Sequence, residues 1–199
     1  MTEIIVSKIK RIYSAVGEMN EKDLNTLTPI PVKEGDFKGV KFNVRNDLTD
    51  EQLTNYCYSA IHNVSNLKDN ITKWAKNNGK DSQKILDEFN KSQELKVLSD
   101  LSNQDKHGGD DRDGGFSKLY PKLNNVRRLL QISSTDPNTP AQIGPLLDGK
   151  INIVGNNTKL VITGDIFDSN GQLVGDLNDY LGKALVIWES ILKSYGLKF

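Results

Sequence analysis

The sequence predicts an α+β fold with a mainly helical core, a small antiparallel β-meander and a C-terminal helix. Three features predict it. An apolar stripe at helical spacing runs from Leu53 to Ala75, a second stretch of that kind covers Ser82 to Lys106, and a third runs from Leu177 to Tyr195. Between the last two lie short alternating runs set off by Gly, Asn and Asp. A length of 199 residues fits a single domain. Within it, residues 1–36 supply an N-terminal helix and a connection, and 37–107 a strand and two long helical stretches. Residues 108–149 form a loop-rich insertion, and 150–199 the meander and the last helix.

Ile5, Ile9, Ile12 and Val16 share one face of a helix over the first eighteen residues. Pro29 and Pro31 bar regular helix from the connection that follows. From Phe37 to Val44 the pattern alternates, with Val40, Phe42 and Val44 on one side, as in a half-buried strand. Thr49-Asp50-Glu51-Gln52 has the form of a capping box: the Thr49 hydroxyl accepts from a free backbone N–H, and Gln52 reaches back. The stripe Leu53, Tyr56, Cys57, Ala60, Ile61, Val64, Leu67, Ile71, Trp74, Ala75 then continues unbroken. It predicts one helix of about seven turns, stopped by Asn78-Gly79.

In the second stretch, Ile85, Leu86 and Phe89 form one apolar patch and Leu95, Leu98 and Leu101 another, with Ser92 starting a fresh helix after a small break. His107-Gly108-Gly109 ends it. The short loop between the two long helices predicts antiparallel packing. Gly108–Gly115 holds four glycines with Asp110, Asp111 and Asp113, the composition of a flexible loop. Val126–Ser133 predicts a strand, and Pro137, Pro140 and Pro145 an exposed connection. Lys150–Val154, Lys159–Phe167 and Gln172–Gly175 are the strands of the meander, with hairpin turns at Gly155-Asn156-Asn157 and Asp168-Ser169-Asn170-Gly171. Asp176 caps the final helix and Gly196 closes it. So small a sheet needs a helix over its apolar face, and the final helix can serve both layers.

Composition narrows the function classes. The 26 basic and 26 acidic residues cancel, which excludes a polybasic nucleic-acid sponge. Hydrophobic residues make up 36%, and the mean hydropathy of −0.51 comes with no apolar run of membrane-spanning length. The first eleven residues lack the apolar core of a signal peptide. A cytoplasmic protein without membrane partner is expected. The single cysteine, Cys57, lies on the apolar stripe and reads as core packing.

Reactive side chains are densest at Asp100-Leu101-Ser102-Asn103-Gln104-Asp105-Lys106-His107. Asn103 and His107 are four apart and share a helix face. Asp105, seven residues beyond Leu98, falls near the apolar side and needs a partner, with Lys106 or one of Asn63, Asn66 and Asn70 the candidates. A plainer reading competes: Lys106 and His107 answer the negative end of the helix dipole, and Gly108 terminates the helix. No metal site is expected, because the chain has two histidines and Asp110–Gly114 fails the EF-hand pattern. No cofactor loop of standard spacing occurs. The run Phe116–Ser133 contains no acid but holds Lys118, Lys122, Arg127 and Arg128, with Phe116 and Tyr120 as aromatic neighbours. Tyr120, Arg127 and Arg128 join Asp105 and Lys106 as candidate binding residues, with RNA the less favoured ligand given the zero net charge.

Asn103-Gln104-Asp105-Lys106-His107, closing a helix that follows a long helix, resembles the HEPN superfamily of bacterial toxin–antitoxin and defence systems. Active members are dimeric, metal-independent ribonucleases with a motif of Arg, a polar residue, three variable residues and His. The resemblance implies that Asn103 takes the polar position and His107 the catalytic histidine. Ser102 stands where the arginine that holds the phosphate belongs. The reading favoured is therefore a non-catalytic binding or regulatory module, with a protein partner or a second copy as ligand. The alternatives are a ribonuclease using His107, with Lys106, Arg127 or Arg128 replacing the missing cation, and a purely structural module that dimerises through the final helix.

Overall fold

The structure is a computed structural model. It describes the backbone of residues 2–21, 29–34, 37–42, 48–108, 115–133, 142–145, 151–154 and 157–197, and side chains within 6–16, 48–108, 115–130 and 160–197. The described residues form helices α1 (Thr2–Met19), α2 (Asp50–Ser65), α3 (Leu67–Asn77), α4 (Gln83–Lys91), α5 (Gln93–His107) and α6 (Leu177–Ser194). The strands are β1 (Asn20–Glu21), β2 (Pro29–Glu34), β3 (Phe37–Phe42), β4 (Lys122–Ser133), β5 (Gln142–Pro145), β6 (Ile151–Val154), β7 (Asn157–Phe167) and β8 (Leu173–Asp176). The fold is the α+β arrangement expected: a mainly helical core, a small antiparallel sheet and a C-terminal helix.

The helices start where the sequence provides caps. Thr49 Oγ1 accepts from Gln52 N at 3.2 Å and Gln52 Oε1 accepts from Thr49 N at 2.9 Å, completing the capping box. Ser92 Oγ accepts from Leu95 N at 3.1 Å and separates α4 from α5. Asp176 Oδ1 accepts from Asn178 N at 2.9 Å at the head of α6. Each cap contributes about 1 kcal/mol.

One expectation fails in the first long helix. Instead of a single rod from Leu53 to Ala75, the chain forms α2 and α3 with an interruption at Asn66. Asn63 Nδ2 donates to Ser59 O at 2.8 Å and Asn70 Nδ2 to Asn66 O at 2.7 Å. The interruption is confined to one residue: Asn66 keeps φ −66 and ψ −14, its N donates to His62 O at 2.9 Å, and Asn70 N donates to Asn66 O at 3.2 Å. The apolar stripe survives the interruption, because Leu53, Cys57, Ala60, Ile61, Val64, Leu67, Ile71, Trp74 and Ala75 are all buried. Periodicity reports the buried face, not the continuity of the backbone.

The sheet also differs from the expected meander. Its order is β1-β7-β4, with β8 paired to β7, all antiparallel. Lys150–Val154 does not join it: β6 pairs with β5 in a separate ribbon. Pro145 marked that region as a connection, yet a proline is tolerated at an edge, and both strands of a two-stranded ribbon are edges. For the same reason Pro29 and Pro31 sit in β2, paired among the described residues to β3 alone. The strand expected at Val126–Ser133 begins earlier, at Lys122, with a register shift between Asn124 and Arg127. The hairpin at Asp168–Gly171 is present: Asp168 Oδ1 accepts from Asn170 N at 2.9 Å and Gln172 N at 2.8 Å. Residues 109–114 and the turn at 155–156 lie outside the described residues.

One hydrophobic core joins the layers. It draws on Ile9 and Ile12 of α1, the stripe of α2 and α3, Ile85 and Phe89 of α4, and Leu95, Leu98 and Leu101 of α5. From the sheet come Ile162 and Ile166, and from α6 Leu181, Ala184 and Trp188. The last helix therefore serves both layers, as expected. No helix among the described residues is long and apolar enough to cross a membrane.

A buried carboxylate fixes how the chain leaves α5 and enters the sheet. Asp100 is fully buried, and its Oδ1 and Oδ2 accept from Phe116 N at 2.8 Å and Ser117 N at 2.7 Å. Gly115 has φ +65, and a Cβ there would stand 2.4 Å from Asp100 Oδ1. Gly108 has nearly the same φ, +64, but faces open space. The pair separates backbone strain from steric exclusion. Gly108→Ala is expected to cost about 1 kcal/mol, the penalty of a left-handed non-glycine residue, and Gly115→Ala about 3 kcal/mol or more, because the carboxylate is also displaced. Urea unfolding of the two variants measures both; equal losses would contradict the Asp100 contact.

Candidate functional site

A line of polar side chains runs along the seam between α2 and α5. The helices run antiparallel, so that His62 meets Ser102 while Ser65 meets Ser99, the latter pair at 3.3 Å. His62 Nδ1 lies 2.8 Å from Ser102 Oγ, and His62 Nε2 lies 2.8 Å from Asp105 Oδ2. An ionised carboxylate only accepts, so Nε2 carries a proton and, in the neutral ring, Nδ1 accepts from the Ser102 hydroxyl. Beside them Lys106 Nζ donates to Asn66 Oδ1 at 2.9 Å. Tyr58, one turn before His62, places its ring centroid 6.0 Å from the imidazole. Burial, and secondarily the Asp105 charge, raise the Tyr58 pKa above the usual phenol value.

This distribution departs from expectation in an instructive way. Asp105 does find a partner, but it is His62 rather than Lys106 or an asparagine. The Asp105 side chain is 43% exposed and that of His62 24% exposed, so the pair sits at the rim of the seam. Asn103 is half-buried and His107 exposed, at the last turn of α5, where Gly108, with φ 64, donates its N–H to Gln104 O at 2.9 Å. Of the two histidines, the one enclosed by polar groups is His62. The signal for it was present in the sequence: Tyr58, His62 and Asn66 are spaced by four, and Ser99, Ser102 and Asp105 by three. Each series lies beside an apolar stripe, as two helices sharing a polar seam require.

The basic candidates are not on one surface. Arg127 and Arg128 are adjacent on β4, so they point to opposite faces of the sheet. Arg127 Nη1 meets Asp165 Oδ1 at 2.8 Å, with Asp176 Oδ2 3.8 Å from Nη2. Asp165 also accepts from Asn125 Nδ2 at 3.0 Å, and these contacts hold its carboxyl below the usual range, the Asn125 bond contributing most. Arg128 is buried, opposite Ile162 on the core side of the sheet. Tyr120 is half-buried, with φ 49. The acid-free run is thus split: one arginine is tied to carboxylates, the other is buried.

Serine, histidine and aspartate in contact have the composition of a nucleophilic triad. The arrangement lacks its access, because Ser102 is fully buried between two helices and has no exposed surface to meet a substrate. Cys57 is also fully buried, and its thiol is pushed up to about 12 by burial, with the Asp176 charge adding. A thiol of that kind is inert near neutral pH. No group of three or more His, Cys, Asp or Glu side chains suited to a metal occurs among the described residues. What the seam does chemically is hold two helices together through charge-assisted and neutral hydrogen bonds.

In comparison with known proteins, no family model, curated protein or solved structure matches the chain.

The two histidines should respond oppositely to truncation. His62→Ala leaves Ser102 and Asp105 without their partner and is expected to cost about 1–3 kcal/mol. His107→Ala, at an exposed position, is expected to stay within about 0.5 kcal/mol of the parent. Thermal or urea unfolding distinguishes them, and a larger loss for His107→Ala would overturn this assignment.

Proposed function

We propose that the chain is a non-catalytic binding or regulatory module on a HEPN-like helical scaffold, with the exposed end of α5 as its contact surface. The observation that carries this reading is the placement of His107. It stands exposed at a helix end, whereas Arg127, offered as a replacement for the missing phosphate-holding cation, is committed to Asp165. Ser102, at the position where the resemblance puts that arginine, is buried against His62. Arg128 is buried, which leaves Lys106, already donating to Asn66 Oδ1, as the cation beside His107; an ammonium lacks the bidentate fork with which an arginine holds a phosphate. Asn103, Lys106 and His107 remain as polar groups for a protein partner. Lys106 is steadied by Asn66.

Dimerisation through α6 is the weaker reading. Its apolar stripe is already buried, and Val186, 67% exposed, is the one large hydrophobic residue strongly exposed on the described helix. A stable interface needs about 1,000 Å² or more, beyond what one valine provides.

The decisive experiment incubates the purified protein with a panel of structured and single-stranded RNAs in the presence of chelator. The reading predicts intact RNA for the parent and for His107→Ala alike. Chelator-resistant cleavage that disappears in His107→Ala would overturn it in favour of a ribonuclease.

A further inference from the structure

A groove of about 510 Å³ opens at the end of the sheet where β4 begins and β7 turns into β8. Lys122, Asn124 and Asn125 line one wall, and Phe167 with the hairpin residues Ser169 and Gly171 the other. Its size is within the range of small-molecule sites. Lys122 pairs directly with Phe167 across the ladder, so the ammonium and the ring emerge side by side from one face of the sheet.

Two further observations single out this place. The polar groups nearby on the sheet are engaged with one another: Asn125 and Arg127 with Asp165, and Thr163 Oγ1 with Asp176 Oδ1 at 2.8 Å. Lys122, Asn124 and Ser169, by contrast, have no side-chain hydrogen bond or ion pair among the described residues. Backbone strain collects here as well. Lys118 (φ 63), Tyr120 (φ 49) and Asn125 (φ 50) are the non-glycine residues with positive φ among the described residues; the first two lead into this wall and the third lies in it. Left-handed backbone at lysine and tyrosine costs free energy and persists only where surrounding contacts impose it. Those contacts also build the groove: Ser169 N donates to Leu119 O at 2.9 Å, and Arg127 Nη1 to Asn125 O at 2.9 Å. Asp168 lines the groove as well, its Oδ1 turned to two amides of its own hairpin turn, Asn170 N and Gln172 N.

We propose that this groove binds a nucleotide, free or within a single strand. The base stacks on Phe167, the phosphate meets Lys122, and Asn124 and Ser169 meet the polar edges. An aromatic face serves any base, the amide and hydroxyl supply both donors and acceptors, and Lys122, the one cation lining the groove among the described residues, suits one phosphate. The proposal goes beyond the α5 surface and uses none of its residues, so either can fail without the other.

Titration of ¹⁵N-labelled protein with adenosine 5′-monophosphate, adenosine, inorganic phosphate and a short oligouridylate tests it. The monophosphate or the oligonucleotide should shift the amide signals of Lys122, Asn124, Phe167 and Ser169, and which of the two binds more tightly identifies the source. Lys122→Ala, an exposed substitution, should weaken monophosphate binding about tenfold and leave adenosine binding unchanged. Phe167→Leu should weaken both; should it unfold the protein, the Lys122→Ala comparison stands by itself. No shifts in the groove with any nucleotide at millimolar concentration would overturn the proposal. So would phosphate alone binding as well as the monophosphate, which would indicate an anion site without base recognition.

Discussion

The acceptance of two backbone N–H groups by the buried Asp100 carboxylate is the contact on which the rest of the molecule depends. A carboxylate removed from water is costly unless its lone pairs are met, and Phe116 N and Ser117 N meet one on each oxygen. The contact joins the helical layer to the chain that becomes β4. Gln93 Nε2 adds to it by donating to Ser117 O at 3.0 Å, and Ser117 Oγ accepts from Leu119 N at 3.2 Å. Leu119 O in turn holds the β7–β8 hairpin through Ser169 N. One carboxylate thus sets the position of the loop, the start of the sheet and the groove between them.

The α2–α5 seam extends the same logic along the helices. Its apolar part is dense, with Ile61, Val64, Leu98 and Leu101 fully buried. The polar series His62, Ser65, Ser99, Ser102 and Asp105 runs beside it and is mutually satisfied. Hydrophobic burial gives affinity between helices without fixing their register; paired polar groups penalise a slipped alignment by leaving partners unmet. His62 suits such a position, since both ring nitrogens have partners in either protonation state: with Nδ1 protonated, Ser102 Oγ becomes the acceptor.

Much of this fold was legible in the chain because helix caps and apolar stripes are local signals. The Thr49 box, the Ser92 cap, the Asp176 cap and the glycine stop at Gly108 all form as the residues imply. What escaped were pairings between distant segments. Nothing near Asp100 indicates that its partners are amides sixteen and seventeen residues away, across a glycine-rich segment. Gly115 carries the needed left-handed turn, but as one of four glycines it read as loop composition. His107 stands in a motif-like string, whereas His62, on an apolar helix, has the enclosing partners. Likewise, four cations in an acid-free run suggested a patch. Strand alternation and the distant Asp165 divide them instead, and they leave Lys122 beside Phe167.

The central claim concerns the Asp100 clasp, and amide hydrogen exchange at Phe116 and Ser117 tests it most directly. Both amides should exchange only through global unfolding, with protection equal to the stability of the α2 and α5 core, and Asp100→Asn should selectively lower it because one carboxylate acceptor becomes a donor. Exchange of these two amides at the rate of an open loop, with the core still protected, would contradict the account.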